Sequence, residues 1–133
     1  MIEFNFVPQE DIRKWWSTIK VGLDEIREKN PGDWIVEDVY VDLVHQKSML
    51  WVVIENNRFV GFLVLQQIGQ EIDVWAAWTL ENDYQVVEKG LQFIKNVAKK
   101  LNAKYLTFCS MRQGWQRKAS SYGFRPNKWI CEV

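Results

Sequence analysis

Residues 49–79 constrain this chain more than any other stretch. Two runs rich in β-branched and aromatic residues, Met49 to Glu55 and Arg58 to Gln67, are separated only by Asn56-Asn57. Asparagine tolerates the left-handed backbone of a two-residue turn, so the two runs form a tight hairpin. Gly69-Gln70 makes a second turn into Glu71 to Thr79, where Ile72, Val74, Ala76 and Trp78 alternate with Asp73, Trp75, Ala77 and Thr79. The result is an antiparallel meander of three strands. Strict alternation puts Trp75 and Trp78, an odd number of residues apart, on opposite faces of the last one.

On either side the hydrophobic period lengthens. A short strand, Ile2 to Phe6, ends at Pro8, and Pro8-Gln9-Glu10-Asp11 opens a helix with acidic residues where its dipole favours them. Ile12, Trp15, Trp16, Ile19, Leu23 and Ile26 recur at helical spacing as its buried stripe. Asn30-Pro31-Gly32 stops it, and a second helix follows from about Asp33, with Val36, Val39, Tyr40, Leu43 and Val44 on one face. After the meander, Val87, Leu91, Ile94, Val97, Ala98 and Leu101 mark a long helix from Tyr84, ended by Asn102. Tyr105 to Cys109 is a short buried strand, Gly114 to Tyr122 a short helix stopped by Gly123, and Trp129 to Val133 a closing strand. The expected order is β-α-α-β-β-β-α-β-α-β, in one α+β domain over residues 1–133.

The chain's 133 residues suit one hydrophobic core, and 47% hydrophobic residues with eight Trp exclude a disordered segment. No apolar run nears the ~20 residues of a membrane span, and Met1-Ile2-Glu3-Phe4 lacks signal-peptide character, so the cytoplasm is expected. Cys109 and Cys131 fall in segments that read as buried strands, where free cysteines pack as small hydrophobes. The single histidine, His45, sits at a helix end and reads as a solvated or capping residue. With one His and no Cys-x-x-Cys, no metal site is expected. The formal net charge is zero, but residues 1–80 hold 7 basic and 13 acidic side chains (−6), and residues 81–133 hold 10 and 4 (+6). Neutrality argues against whole-surface nucleic-acid binding. The split suits an acidic partner, a phosphate or self-association, or simply helix faces of differing charge.

Three short motifs resemble the GNAT acetyltransferase superfamily. Ser120-Ser121-Tyr122-Gly123-Phe124 is similar to its C-terminal helix ending in Gly-Phe, Phe59-Val60-Gly61-Phe62 to its third strand, and Asn102-Ala103-Lys104-Tyr105-Leu106 to the passage from long helix to fifth strand. The element order agrees over essentially the whole chain. The resemblance implies a mixed central sheet of about six strands with helices on both faces.

It also implies three chemical features, and the sequence departs from each. A glycine-rich loop at the start of the long helix would hold the pyrophosphate of coenzyme A on bare backbone N–H groups. That loop falls on Glu81-Asn82-Asp83-Tyr84-Gln85-Val86-Val87, which has no glycine, no arginine and two carboxylates. Its plainer reading is a helix cap. A tyrosine acid for the departing thiolate would stand where Ala119 is, while Tyr122, three residues on, is the substitute, with core packing as its plainer role. The base for the amine would be Asp73 or Glu71, although any antiparallel strand shows such residues on a wet face. The family's asparagine before the last helix aligns with Arg112.

Trp15, Trp75, Arg112, Trp115 and Arg117 are candidate interaction residues, since exposed Trp and Arg anchor protein interfaces, whereas core filling accounts for most tryptophans in a small domain. Trp15 and Trp16 point about 100° apart on one helix, so both are not expected to be buried. Arg112, Trp115, Arg117, Lys118, Arg125 and Lys128 interleave cations with aromatics, as single-strand binders do.

The first expectation is therefore a non-catalytic interaction or structural protein on a degenerate GNAT-like scaffold, without cofactor, acting through a protein partner or self-association. By analogy with small phage proteins of this kind, a virion or assembly component is expected. The alternative is a divergent acetyl-CoA-dependent N-acetyltransferase, with Tyr122 as acid and Trp78, Thr79, Leu80, Val86 and Val87 around the cofactor. A nucleic-acid accessory protein is the third reading.

Overall fold

The computed structural model describes residues 1–80, 84–109, 115–126 and 131–132, with the side chains of residues 84 and 115–117 left out. The order is β1 (Ile2–Val7), a 3-10 turn (Gln9–Asp11), α1 (Ile12–Lys29), α2 (Val36–Val44), β2 (Met49–Glu55), β3 (Arg58–Ile68), β4 (Glu71–Thr79), α3 (Tyr84–Lys100), β5 (Tyr105–Phe108) and α4 (Trp115–Ser121).

The strands form a mixed five-stranded sheet in the order β1-β2-β3-β4-β5, antiparallel except for the parallel β4–β5 pair. Asn56 and Asn57 adopt φ of 52° and 65°, the left-handed pair that a two-residue hairpin needs. Gly69 at φ 59° makes the β3–β4 turn, and Asn102 at φ 56° ends α3. The second helix starts at Val36, later than the expected Asp33, because the free N–H of Ile35 is taken by the Asp38 carboxylate at 2.9 Å.

Alternation along the strands feeds two cores, one on each face. Phe62, Val64 and Ala76 pack with Ile19 and Leu23 of α1 and Val39 and Leu43 of α2. Leu63, Leu65 and Ile72 face the other way, onto Ile94, Val97 and Ala98 of α3. Helices thus cover both faces of the sheet, as expected. Packing on the α1 side is close. A Cβ on Gly22 would lie 2.5 Å from Phe62 Cε2, and one on Gly61 would lie 2.4 Å from the Trp78 carbonyl oxygen.

Several expectations need correction. Trp75 and Trp78 do not lie on opposite faces, since both pack into the α1–α2 core. Val64 pairs with Ala76 but the next residue, Leu65, pairs with Val74, so β4 carries a bulge at Trp75 that resets the alternation. Cys109 is exposed because β5 ends at Phe108, and Cys131 is exposed in coil rather than buried in a strand. The closing strand expected over 129–133 falls largely outside the described residues, and the described 131–132 are not in a strand. The expectation for Trp15 and Trp16 needs none, since they are not both buried: each is half-buried, against Phe59 and Tyr40 respectively.

Candidate active site

The site is built where two strands part. β4 and β5 run in register from Glu71–Tyr105 to Val74–Phe108, and the pairing stops there, while β4 continues to Thr79. Among the described residues, Trp75–Thr79 has no strand partner on its β5 side. The parting coincides with the bulge, so Trp75 is paired with neither neighbour. Its indole turns onto the α1–α2 side, edge-on to Trp34 at 5.9 Å.

One step before the parting, Asp73 shares that α1–α2 face with Trp75. Thr107 Oγ1 donates to Asp73 Oδ1 at 2.9 Å, and Gln66 Nε2 donates to Asp73 Oδ2 at 3.1 Å. The carboxylate is thereby fixed from both neighbouring strands, and each oxygen keeps a further lone pair for a proton. Glu71, the other expected base, stands at the far end of the pairing, beside Tyr105.

The end of α4 returns to the same place. The Phe124 ring meets Phe108 edge-on at 4.9 Å, anchoring the chain beyond α4 on the last paired residue of β5. Tyr122, two residues earlier, is half-buried, with its N–H directed at the Lys118 and Ala119 carbonyls. The strand end and the fixed carboxylate thus lie side by side, and the chain beyond α4 is anchored at the same end of β5.

The other expected cofactor residues divide into two groups. Trp78 is committed to the α1 side, where its ring stacks on Phe62 and its Nε1–H donates to Glu25 Oε2 at 3.2 Å. The Glu25 carboxyl is held below its ordinary range by the Lys29 ammonium hydrogen bond first and by this indole second. Thr79, Leu80 and Val86 instead line a pocket of about 160 Å³ with Asn56 and Arg58, where the β2–β3 turn meets the start of α3. Val87 is half-buried on α3. Glu81, Asn82 and Asp83 lie outside the described residues, as does Arg112. Of Trp115 and Arg117 only the helical backbone is described.

Sequence reasoning missed Thr107 and Gln66. Both become visible only through register, which sets Asp73 between two polar neighbours. Among the described residues no group of three metal-ligating side chains occurs, and no helix is long and apolar enough to cross a membrane.

The architecture has close counterparts among solved structures. A predicted acetyltransferase of Clostridium acetobutylicum, solved with acetyl-CoA, matches at a TM-score of 0.69 and 15% identity, over 100% of this chain and 96% of that one. The aminoglycoside N-acetyltransferase AAC(6')-Iy, in complex with CoA, matches at 0.70 and 8% identity, over 100% and 93%. The ribosomal-protein-alanine N-acetyltransferase of Brucella melitensis matches at 0.67 and 12% identity, over 100% and 98%. The chain has the GNAT acetyltransferase fold. No family model matches the sequence, and neither does any curated protein.

The GNAT neighbours correct the expectation of a non-catalytic virion or assembly component. These three solved structures, which match over the full chain, are acetyltransferases, two of them holding acetyl-CoA or CoA, and none of the three connects the chain to a phage particle.

Proposed function

We propose that this protein is an N-acetyltransferase that moves an acetyl group from acetyl-CoA to an amine. The observation that carries the reading is the parting of β4 from β5 at Val74–Phe108, with a bulge at Trp75 and the chain beyond α4 anchored at the same end by the Phe108–Phe124 contact. The chemistry of the opening fits the donor, because the unpaired edge of Trp75–Thr79 offers backbone amides to a thioester arm that carries amides of its own. The GNAT neighbours that hold acetyl-CoA and CoA support the same assignment.

When bound, acetyl-CoA supplies an acyl group activated as a thioester. The residues that would hold it are Thr79 and Leu80 on the strand edge and Val86 and Val87 on α3. Asp73, oriented by Thr107 and Gln66, takes the proton that the amine must lose as its nitrogen bonds to the acyl carbon. Tyr122 gives its phenolic proton to the sulfur as the C–S bond breaks, and recovers one from solvent. A backbone N–H at the bulge is the natural donor to the acyl oxygen, since it stands outside the β3 ladder and needs no rearrangement to act.

Calorimetric titration of the purified protein with acetyl-CoA and with CoA tests the proposal. Micromolar binding of either supports it and justifies a screen of amines. No heat up to millimolar ligand overturns it.

A further inference from the structure

The outer edge of β1 carries none of the devices that ordinarily keep a strand edge from pairing. We propose that β1 pairs with β1 of a second copy of this chain, antiparallel and about a twofold axis at Phe4, so that the two sheets become continuous.

The sheet order puts β1 at the end of the row, with β2 as its one strand partner among the described residues. Antiparallel neighbours exchange backbone hydrogen bonds at every second residue. Asn56 N–H donates to the Met1 carbonyl, and the register continues that bonded phase through Glu3–Ile54, Asn5–Val52 and Val7–Leu50. The N–H and C=O groups of Ile2, Phe4 and Phe6 therefore point away from β2. Among the described residues nothing is bonded to them on that side. Strand edges are usually blunted by a lysine, an internal proline or a bulge. The one charge on β1 is Glu3, and Pro8 lies beyond its end. Its register with β2 is unbroken, whereas the next two ladders each carry a shift. Phe6 is 51% exposed on this edge, and Ile2 and Phe4 are half-buried.

The pattern along the strand selects a second copy as the occupant. About an axis at Phe4, Phe4 meets its own counterpart and Ile2 meets Phe6 of the other copy, giving three bonded pairs of two hydrogen bonds each. On the α3 face this sets Ile2 and Phe6 of the two copies together, flanking the Phe4 rings that already stack on Phe93 at 4.4 Å. On the opposite face Glu3 falls across from Asn5, a carboxylate against an amide donor. The alternative registers in the same phase are worse. A shift toward the N-terminus opposes Glu3 to itself, and like charges directly across a ladder repel. A shift toward Pro8 sets Ile2 against Pro8, which has no N–H to give. β1 lies at the far side of the sheet from the β4–β5 parting, so the pairing leaves that opening clear and is independent of the acetyl-transfer reading.

Sedimentation equilibrium from micromolar to millimolar protein should show a reversible monomer–dimer equilibrium with a micromolar dissociation constant, as suits a small interface. A chain that stays monomeric throughout, or that grows beyond the dimer, would overturn the proposal. Asn5 is exposed, so its substitution spares the core. Asn5→Lys places an ammonium across from Glu3 and should tighten the dimer, whereas Asn5→Glu places a second carboxylate there and should weaken it. Each change should be about two- to thirtyfold, because two symmetric pairs alter together. Shifts of the same sign, or none, would assign the contact to another surface. The register is read by cross-linking in a Cys109→Ser, Cys131→Ser background, since both native thiols are exposed. Glu3→Cys mixed with Asn5→Cys should form a disulfide-linked dimer under mild oxidation, because Cα atoms of a non-bonded antiparallel pair stand about 4.5 Å apart, within disulfide reach. Neither variant alone should do so. Cross-linking of a single variant as fast as the mixture would overturn the register centred on Phe4.

Discussion

Trp75 and Trp78 occupy the same face of β4 although they are three positions apart. The reason is the two-against-one pairing of Val64 and Leu65 with Ala76 and Val74, which leaves Trp75 as the extra residue of a bulge. The bulge turns the second half of β4 toward α1 and marks the point where β5 departs.

Deleting Trp75 tests what the bulge does. Without it, Val74 and Ala76 become consecutive and keep the faces they already have, so the ladder with β3 closes without a slip. Cooperative unfolding and the far-UV spectrum should therefore be retained, at reduced stability because the Trp34 contact is lost. Acetyl-CoA affinity should fall at least tenfold, since the amide outside the ladder is removed. Unchanged affinity by calorimetry would separate the bulge from the site.

Tyr122→Phe separates packing from chemistry. The ring, and with it the packing role, is preserved, so thermal stability and acetyl-CoA affinity should stay close to the parent values. Loss of a positioned acid should lower kcat by roughly 10²-fold or more. A stable variant with full kcat on any accepted amine would remove Tyr122 from the mechanism.

Much of the fold was legible because local chemistry and tertiary need agree. The Asn56-Asn57 turn, the Gly69 turn and the Asn102 helix stop each adopt the left-handed backbone that their residue types favour. Periodicity identified the α1 and α3 stripes, including Ile19 and Leu23, both fully buried. The bulge was not legible. Its two-against-one pairing depends on which residue of β3 faces which of β4, and alternation within β4 alone reads as unbroken. The site was hidden for the same reason. Asp73 looks like any polar residue on a wet strand face until register places Gln66 on one side and Thr107 on the other.

Asp73 gives the most direct test of that arrangement. Asp73→Asn keeps the shape and the contact with Thr107 but cannot take a proton. Acetyl-CoA affinity should be nearly unchanged, and kcat/KM for the amine should fall by roughly 10²- to 10⁴-fold. Thr107→Val should give a smaller loss, because it frees the carboxylate to rotate without removing it. Equal effects of both variants on acetyl-CoA binding would point to a structural defect.

The Glu25 carboxyl predicts a pH dependence of defined sign. Its pKa in the folded chain is depressed below the ordinary value of 4.5 by the Lys29 and Trp78 hydrogen bonds. A depressed acid stabilises the fold at pH above its unfolded value, and that contribution disappears as pH falls through the folded one. The difference in Tm between the parent and Glu25→Gln should therefore be constant above about pH 5.5 and shrink progressively below 4.5. Because the carboxylate is exposed, added salt should also shrink it. A Tm difference that is flat from pH 3 to 7 would contradict the assignment.

Gly22→Ala sets helix propensity against packing, and the two predict opposite signs. Gly22 lies inside α1, where alanine is favoured over glycine by about 1 kcal/mol in an exposed helix. Here the added methyl would sit 2.5 Å from Phe62 Cε2 and 2.9 Å from Trp78 Cδ2. Phe62 is fully buried, and Trp78 is held through its Nε1–H by Glu25. Either α1 lifts from the sheet or both rings leave their positions, and overpacking of this kind costs about 1–3 kcal/mol. The net effect should be destabilising by about 0.5–2 kcal/mol, read from the urea midpoint at unchanged m-value. Stabilisation would show that α1 moves freely over the sheet. Because Trp78 lies next to Thr79 on the proposed donor edge, the same variant should also weaken acetyl-CoA binding.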